Sequence, residues 1–177
     1  MFGQNVTNAS TAMPRALIGG GSAKLADGRN ISGLNVNALW QKVAPLIASG
    51  ESMGGNYEAQ NGVPRNITPG LSRMTIGQVY ELSRSIGRSD GNGPKTGAAG
   101  KYQFIPPTLL AAMKKAKLTL QDLFSPENQE KMGRVLFDQR VAAGAAGGVV
   151  GILDQLAMEW ASLPSPTKGG RSWYHGD

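Results

Sequence analysis

A glutamate at the end of an apolar helical stripe is the residue whose type and position first suggest chemistry. Val36, Leu39, Trp40, Val43, Ala44 and Ile47 recur at i, i+3, i+4, i+7, i+8 and i+11, which places them on one face of a helix. Glu51 continues the i+4 series from Val43 and Ile47 and should point toward the same buried side. Partial burial beside apolar groups disfavours the charged form of a carboxyl, as does the partial negative charge at a helix C-terminus, and both suit a general acid. The plain alternative is a surface glutamate after a helix end. Gly50 and then Gly54-Gly55 are expected to stop the helix, leaving Glu51 at or just past its C-terminal end.

Polar neighbours of Glu51 read in more than one way. Ser49 and Ser52 would orient the carboxyl by hydrogen bonds or simply cap the helix end. Tyr57 would lie beside Glu51, in reach of a ligand. His175 is the only histidine and has no partners at metal-ligand or triad spacing, so zinc and Ser–His chemistry are set aside and neither a metal nor a cofactor is expected. The stretch 87–100 carries Gly87, Gly91, Gly93, Gly97 and Gly100, but its spacing fits neither phosphate-loop pattern.

Two blocks change the weight of Glu51. One is Ala48-Ser49-Gly50-Glu51-Ser52, followed by Asn56-Tyr57 and Asn61-Gly62; the other is Thr96-Gly97-Ala98-Ala99-Gly100-Lys101-Tyr102-Gln103-Phe104-Ile105-Pro106-Pro107-Thr108-Leu109. The pair resembles the signature blocks of lytic transglycosylases of the lysozyme superfamily, in which a helix ends in Glu-Ser and a Gly-x-x-Gly-x-x-Gln-x-x-Pro-x-Thr segment lines a sugar groove. Gly97, Gly100, Gln103, Pro106 and Thr108 occupy the pattern positions. The second block also resembles the bacteriophage lambda type of endolysin, which has Thr-Gly-Ala-Gly-Arg-Tyr-Gln in place of residues 96–103. Leu123-Phe124-Ser125-Pro126-Glu127-Asn128-Gln129 and Trp160-Ala161-Ser162-Leu163-Pro164 resemble segments at comparable distances in that type, so the likeness covers about residues 40–177. The stretch between Glu51 and the Gly-rich block is longer here.

The resemblance implies a mainly α (α+β lysozyme-like) fold with a small irregular or β-hairpin lobe flanking a sugar-binding groove. It implies cleavage of the N-acetylmuramic acid–N-acetylglucosamine bond of peptidoglycan, with Glu51 as catalytic residue and Gln103, Tyr102, Tyr57, Ser52 and Gly100 as substrate-binding positions. Gln103 would give a donor and an acceptor to a sugar, and Tyr102 a ring plus a phenol, although either can equally pack or cap the next helix. Hydrolytic muramidases use two carboxyls. Asp90, Glu58 and Glu81 have no setting that raises them above solvated charge, whereas one glutamate suffices for a transglycosylase that closes a 1,6-anhydro ring. A hydrolytic muramidase, or a virion structural protein with an inactive lysozyme-like fold, stays as the alternative.

The elements that must position these residues follow from periodicity and punctuation. Beyond the first helix, Thr75 opens a second that Gly87 closes; others are expected from Pro106 or Pro107 to about Lys117, Pro126 to about Ala143 and Val149 to about Leu163. Tyr102-Gln103-Phe104 is the one short candidate strand. Residues 1–34, with Gly19-Gly20-Gly21 and no sustained period, are expected to be a flexible arm before a catalytic domain over 35–177.

Composition bounds the rest. A chain of 177 residues suits one domain, 25 glycines mean many turns, and the absence of cysteine removes disulfides and thiolate metal sites. A net charge of +6 favours polyanions, including an anionic cell wall, but no basic stripe with interleaved aromatics marks a specific nucleic-acid site. Lys114, Lys115 and Lys117 read as a solvated helix face. The start, Met1-Phe2-Gly3-Gln4-Asn5, lacks the basic run of a secretory signal, and no stretch approaches the roughly 18 apolar residues of a membrane span. The arm therefore suggests an enzyme carried on the virion, bound to other virion or tail proteins and acting at the host wall; storage in the host cytoplasm until lysis is the alternative.

Overall fold

The computed structural model describes residues 23–24, 30–31, 33–87 and 96–174. Most of the expected arm, the loop positions 88–95 with Asp90, and His175 lie outside the described residues. Within the arm, β1 (Ala23–Lys24) and β2 (Asn30–Ile31) pair antiparallel, Ala23 opposite Ile31. Two-residue strands are too short to show a period, so the sequence pattern could not reveal them.

Helix α1 (Val36–Glu51) begins where the Asn35 side chain accepts from the Ala38 N–H at 2.9 Å. The predicted stripe is the buried face, extended by Ala48. Gly50 does not stop this helix but lies inside it. A Cβ there would fall 2.3 Å from Ser162 Cβ, so the glycine serves close approach of a distant segment. The chain turns after Glu51 instead, through Met53, Gly54 and Gly55, all at positive φ. Pro45 sits on the exposed side of α1 and removes one helical hydrogen bond without ending the element.

Helix α2 (Ile76–Gly87) starts with a reciprocal cap: Thr75 Oγ1 accepts from Gln78 N at 3.2 Å and Gln78 Oε1 accepts from Thr75 N at 2.8 Å. Helix α3 (Pro106–Lys115) stops short of the predicted Lys117, whose φ of 58° turns the chain. Helix α4 (Pro126–Gly144) is capped by Ser125. Helix α5 (Gly148–Glu159) ends before Leu163, because Trp160 takes an extended conformation. Helices α4 and α5 pack on each other, and a Cβ on Gly144 would meet Gly151 O at 2.4 Å. Together they form a helical run, Pro126–Glu159, that is long and apolar enough by composition to cross a membrane, with mean hydropathy 1.5 over its best window. Here that run is bent at Gly144–Gly148 into a packed hairpin of two helices.

The few aromatics concentrate in one core. Trp40 stacks near Phe137 and Tyr102 with ring centres 5.1 and 5.7 Å apart, and Tyr102 stands 6.4 Å from Trp160. The molecule is mainly α, with a small irregular lobe joined by single β-bridges, Ala59 to Ile67, Gln60 to Ala99 and Ala99 to Phe104. The predicted strand at 102–104 is therefore a turn ended by one bridge residue: Gln103 adopts φ 48°, a left-handed value that no strand tolerates.

Glu58 ties this lobe together. Its carboxylate accepts from Leu71 N at 2.6 Å, from Ser72 N at 3.2 Å and from the Ser72 hydroxyl. Burial pushes the carboxyl up, but the hydrogen bonds from Ser72 and Leu71 outweigh it and hold it below its ordinary value of 4.5. A carboxyl lowered on folding contributes stability above its unfolded pKa and loses it as pH falls through the folded one. Glu58→Gln is accordingly expected to melt below the parent at pH 6, with the gap closing in more acid solution; an equal gap at both pH values in thermal melts would remove this role.

Candidate active site

Glu51 is the last residue of α1 and is half-buried. Because Gly50 lacks a side chain, the segment after α5 comes close enough for Ser162 N to donate to Glu51 Oε1 at 2.9 Å. That segment is itself pinned: Leu163 N bonds Trp160 O at 3.0 Å, and the buried Trp160 indole N–H donates to Tyr102 O at 3.3 Å. One backbone amide thus fixes one carboxyl oxygen. Among the described residues no other group donates to the carboxylate.

A groove of about 520 Å³ opens over Glu51, walled by Asn61, Thr96, Gln103, Thr108, Arg140 and Glu159 among others. A smaller recess of about 80 Å³, lined by Ser52, Asn61, Asn66 and Gln103, continues on another side of Glu51. Asn61 Oδ1 accepts from Thr96 N and Oγ1 at 3.2 and 3.3 Å, which joins the loop after Glu51 to the start of the Gly-rich block.

The expected substrate-binding residues fall into two groups. Gln103 lines both openings, and its Nε2 donates to Gly100 O at 2.9 Å, which fixes the carboxamide at the groove wall. Ser52 borders the smaller recess, but it is 1% exposed and its hydroxyl donates to Ala48 O at 3.0 Å, a helix-end cap. Tyr102 contributes to the groove wall yet is 1% exposed, and its hydroxyl donates to Glu130 Oε2 at 2.7 Å, so its polar atom is already committed. Tyr57 lines neither opening and donates to Glu130 Oε1 at 2.8 Å. Gly100 lies behind the groove, packed on Gln129 and Phe124, and acts through its carbonyl.

Sequence reasoning missed three groups. Ser162 stands in the Trp-Ala-Ser-Leu-Pro block, but its role is carried by a backbone amide, which no residue type advertises. Arg140 and Glu159 meet across the α4–α5 hairpin at 2.8 Å and face the groove as a pair. Glu130 gathers two tyrosines and Lys101 from distant parts of the chain, Lys101 Nζ standing 2.5 Å from its Oε1.

A family model described as Endolysin matches residues 80–175, more than half of the chain. The chain belongs to the endolysin family. Endolysins are cell-wall-degrading enzymes of bacteriophages, and peptidoglycan is the substrate class of the family. The endolysin match takes in the Gly-rich block, Gln103, Glu130, Arg140, Glu159 and Ser162 and begins after Glu51. Neither a search of curated proteins nor a search of solved structures returns a match.

Proposed function

We propose that this endolysin-family chain is a peptidoglycan lytic transglycosylase with Glu51 as its single acid/base. The observation that carries the reading is the inequality of the two groove carboxylates. Glu159 is held by the Arg140 guanidinium, whereas among the described residues Glu51 accepts only one backbone N–H, and it faces open groove. A carboxylate locked in an ion pair is a poor nucleophile or base, because the cation stabilises the charge it would have to share.

In the proposed cycle the protonated Glu51 gives its proton to the glycosidic oxygen as the bond to the muramoyl C1 breaks. The resulting carboxylate then takes the proton from the muramoyl 6-hydroxyl, whose oxygen closes on C1 to form the 1,6-anhydro ring. Glu51 ends protonated and ready for the next bond. Ser162 N keeps the carboxyl aimed through both steps, and Gln103 offers donor and acceptor atoms to a sugar beside it.

Hydrolytic cleavage is the second reading, favoured by the presence of Glu159 in the same groove. Digestion of purified glycan strands followed by mass spectrometry separates the two, since the anhydro product is lighter by one water. Anhydromuramoyl ends are the expected product; reducing ends throughout would end the transglycosylase assignment. We further propose that the Gly-rich segment 1–34 carries the enzyme on the virion, which immunodetection on purified particles would test.

A further inference from the structure

We propose that Glu130 is a positioning residue of the groove, the charged tie that holds the Gly-rich block and the loop after Glu51 in register on α4. The inference rests on the groove being the active site. Its carboxylate collects three donors from two separate segments: Tyr57 Oη at 2.8 Å, Tyr102 Oη at 2.7 Å and Lys101 Nζ at 2.5 Å. Lys101 also lies over both rings, 5.1 Å from the Tyr57 centre and 5.4 Å from that of Tyr102. Tyr57 belongs to the turn that leaves Glu51, while Lys101 and Tyr102 immediately precede Gln103.

None of these four polar groups is offered to a ligand by position: Tyr57, Lys101 and Glu130 line neither opening, and the Tyr102 hydroxyl is spent on Glu130. The neighbouring Gln129 repeats the same two-way tie with neutral groups. Its Oε1 accepts from Lys101 N at 2.9 Å, and its Nε2 donates to Tyr57 O at 3.2 Å and Phe124 O at 2.8 Å. Two successive residues of α4 therefore clamp the same two segments, one through side-chain charge and one through backbone. Gln103 follows this clamp at φ 48°, so its reach into the groove depends on where Lys101 and Tyr102 are held. A displacement of about 1 Å in such a support is enough to cost a large factor in rate.

The test measures turnover and KM on solubilised glycan strands for Glu130→Gln, Lys101→Met and the double variant, with melting temperature alongside. We expect each single change to lower kcat by about tenfold with KM within about twofold, and the double variant to be no slower than the slower single, because both remove one tie. Parent-like kcat in Glu130→Gln, or losses that multiply in the double variant, would overturn the proposal. If Glu130→Gln fails to fold, Tyr57→Phe keeps the ring over Lys101 and removes only one bond to Glu130; a loss of about threefold in kcat is expected, and none would overturn the idea. The Glu51 assignment stands or falls separately, on whether Glu51→Gln is active, since the ratio of each variant to its parent does not depend on which group transfers the proton.

Discussion

Glu51→Gln is expected to lower the rate at which the protein clears a suspension of purified cell walls by about a thousandfold, within the range that a positioned general acid contributes. The substitution keeps the side chain's size, and the amide oxygen can still accept the Ser162 N–H, so the ending of α1 and the segment 160–163 have no reason to move. What disappears is a proton that can be transferred at the free oxygen. Circular dichroism and melting temperature should therefore match the parent while clearing stops. A folded Glu51→Gln protein that clears walls at the parent rate would remove Glu51 from the chemistry, and with it the reading of the groove as a one-carboxylate site. The companion measurement is Glu159→Gln: freeing Arg140 in the groove changes its charge, but it leaves the proposed proton donor in place.

How much of the fold and the site is legible in the sequence depends on whether a feature is local. The stripe from Val36 to Ile47 is a short-range pattern, and it gives the buried face of α1 correctly. Thr75, Ser125 and Pro126 mark helix starts because capping is decided within one turn. Gly50 misleads for the opposite reason. A glycine after an apolar run normally signals a stop, yet its partner is Ser162, over a hundred residues away, and only the tertiary approach explains it. Gln103 sits in a recognisable block, and the structure places it on both openings beside Glu51. Tyr57 and Tyr102 stand in equally suggestive company, but their hydroxyls turn to Glu130, a residue on α4 with no motif of its own. The Arg140–Glu159 pair is illegible too, since it forms only when α4 and α5 fold back on each other.

Gly100→Ala is expected to damage the wall behind the groove, destabilising the fold by about 3 kcal/mol. Gly100 has φ 76°, where a side chain costs about 1 kcal/mol by itself. A Cβ would also stand 2.3 Å from Gln129 Oε1 and 2.7 Å from the Phe124 ring. Neither neighbour yields cheaply: Phe124 and Gln129 are fully buried, and the Gln129 carboxamide is fixed by its bonds to Lys101, Tyr57 and Phe124. Backing the chain away is no easier, because Gly100 N donates to Ala59 O at 2.7 Å. For a chain of this size the loss corresponds to a fall in melting temperature of roughly 6 to 12 °C. Gly54 supplies the control, with φ 87° and nothing within 4 Å of an added methyl, so Gly54→Ala should lose only the conformational part. Equal melting temperatures for the two variants would mean that the Gln129–Phe124 wall is soft, and a soft wall could not hold Lys101 and Gln103 in place beside Glu51.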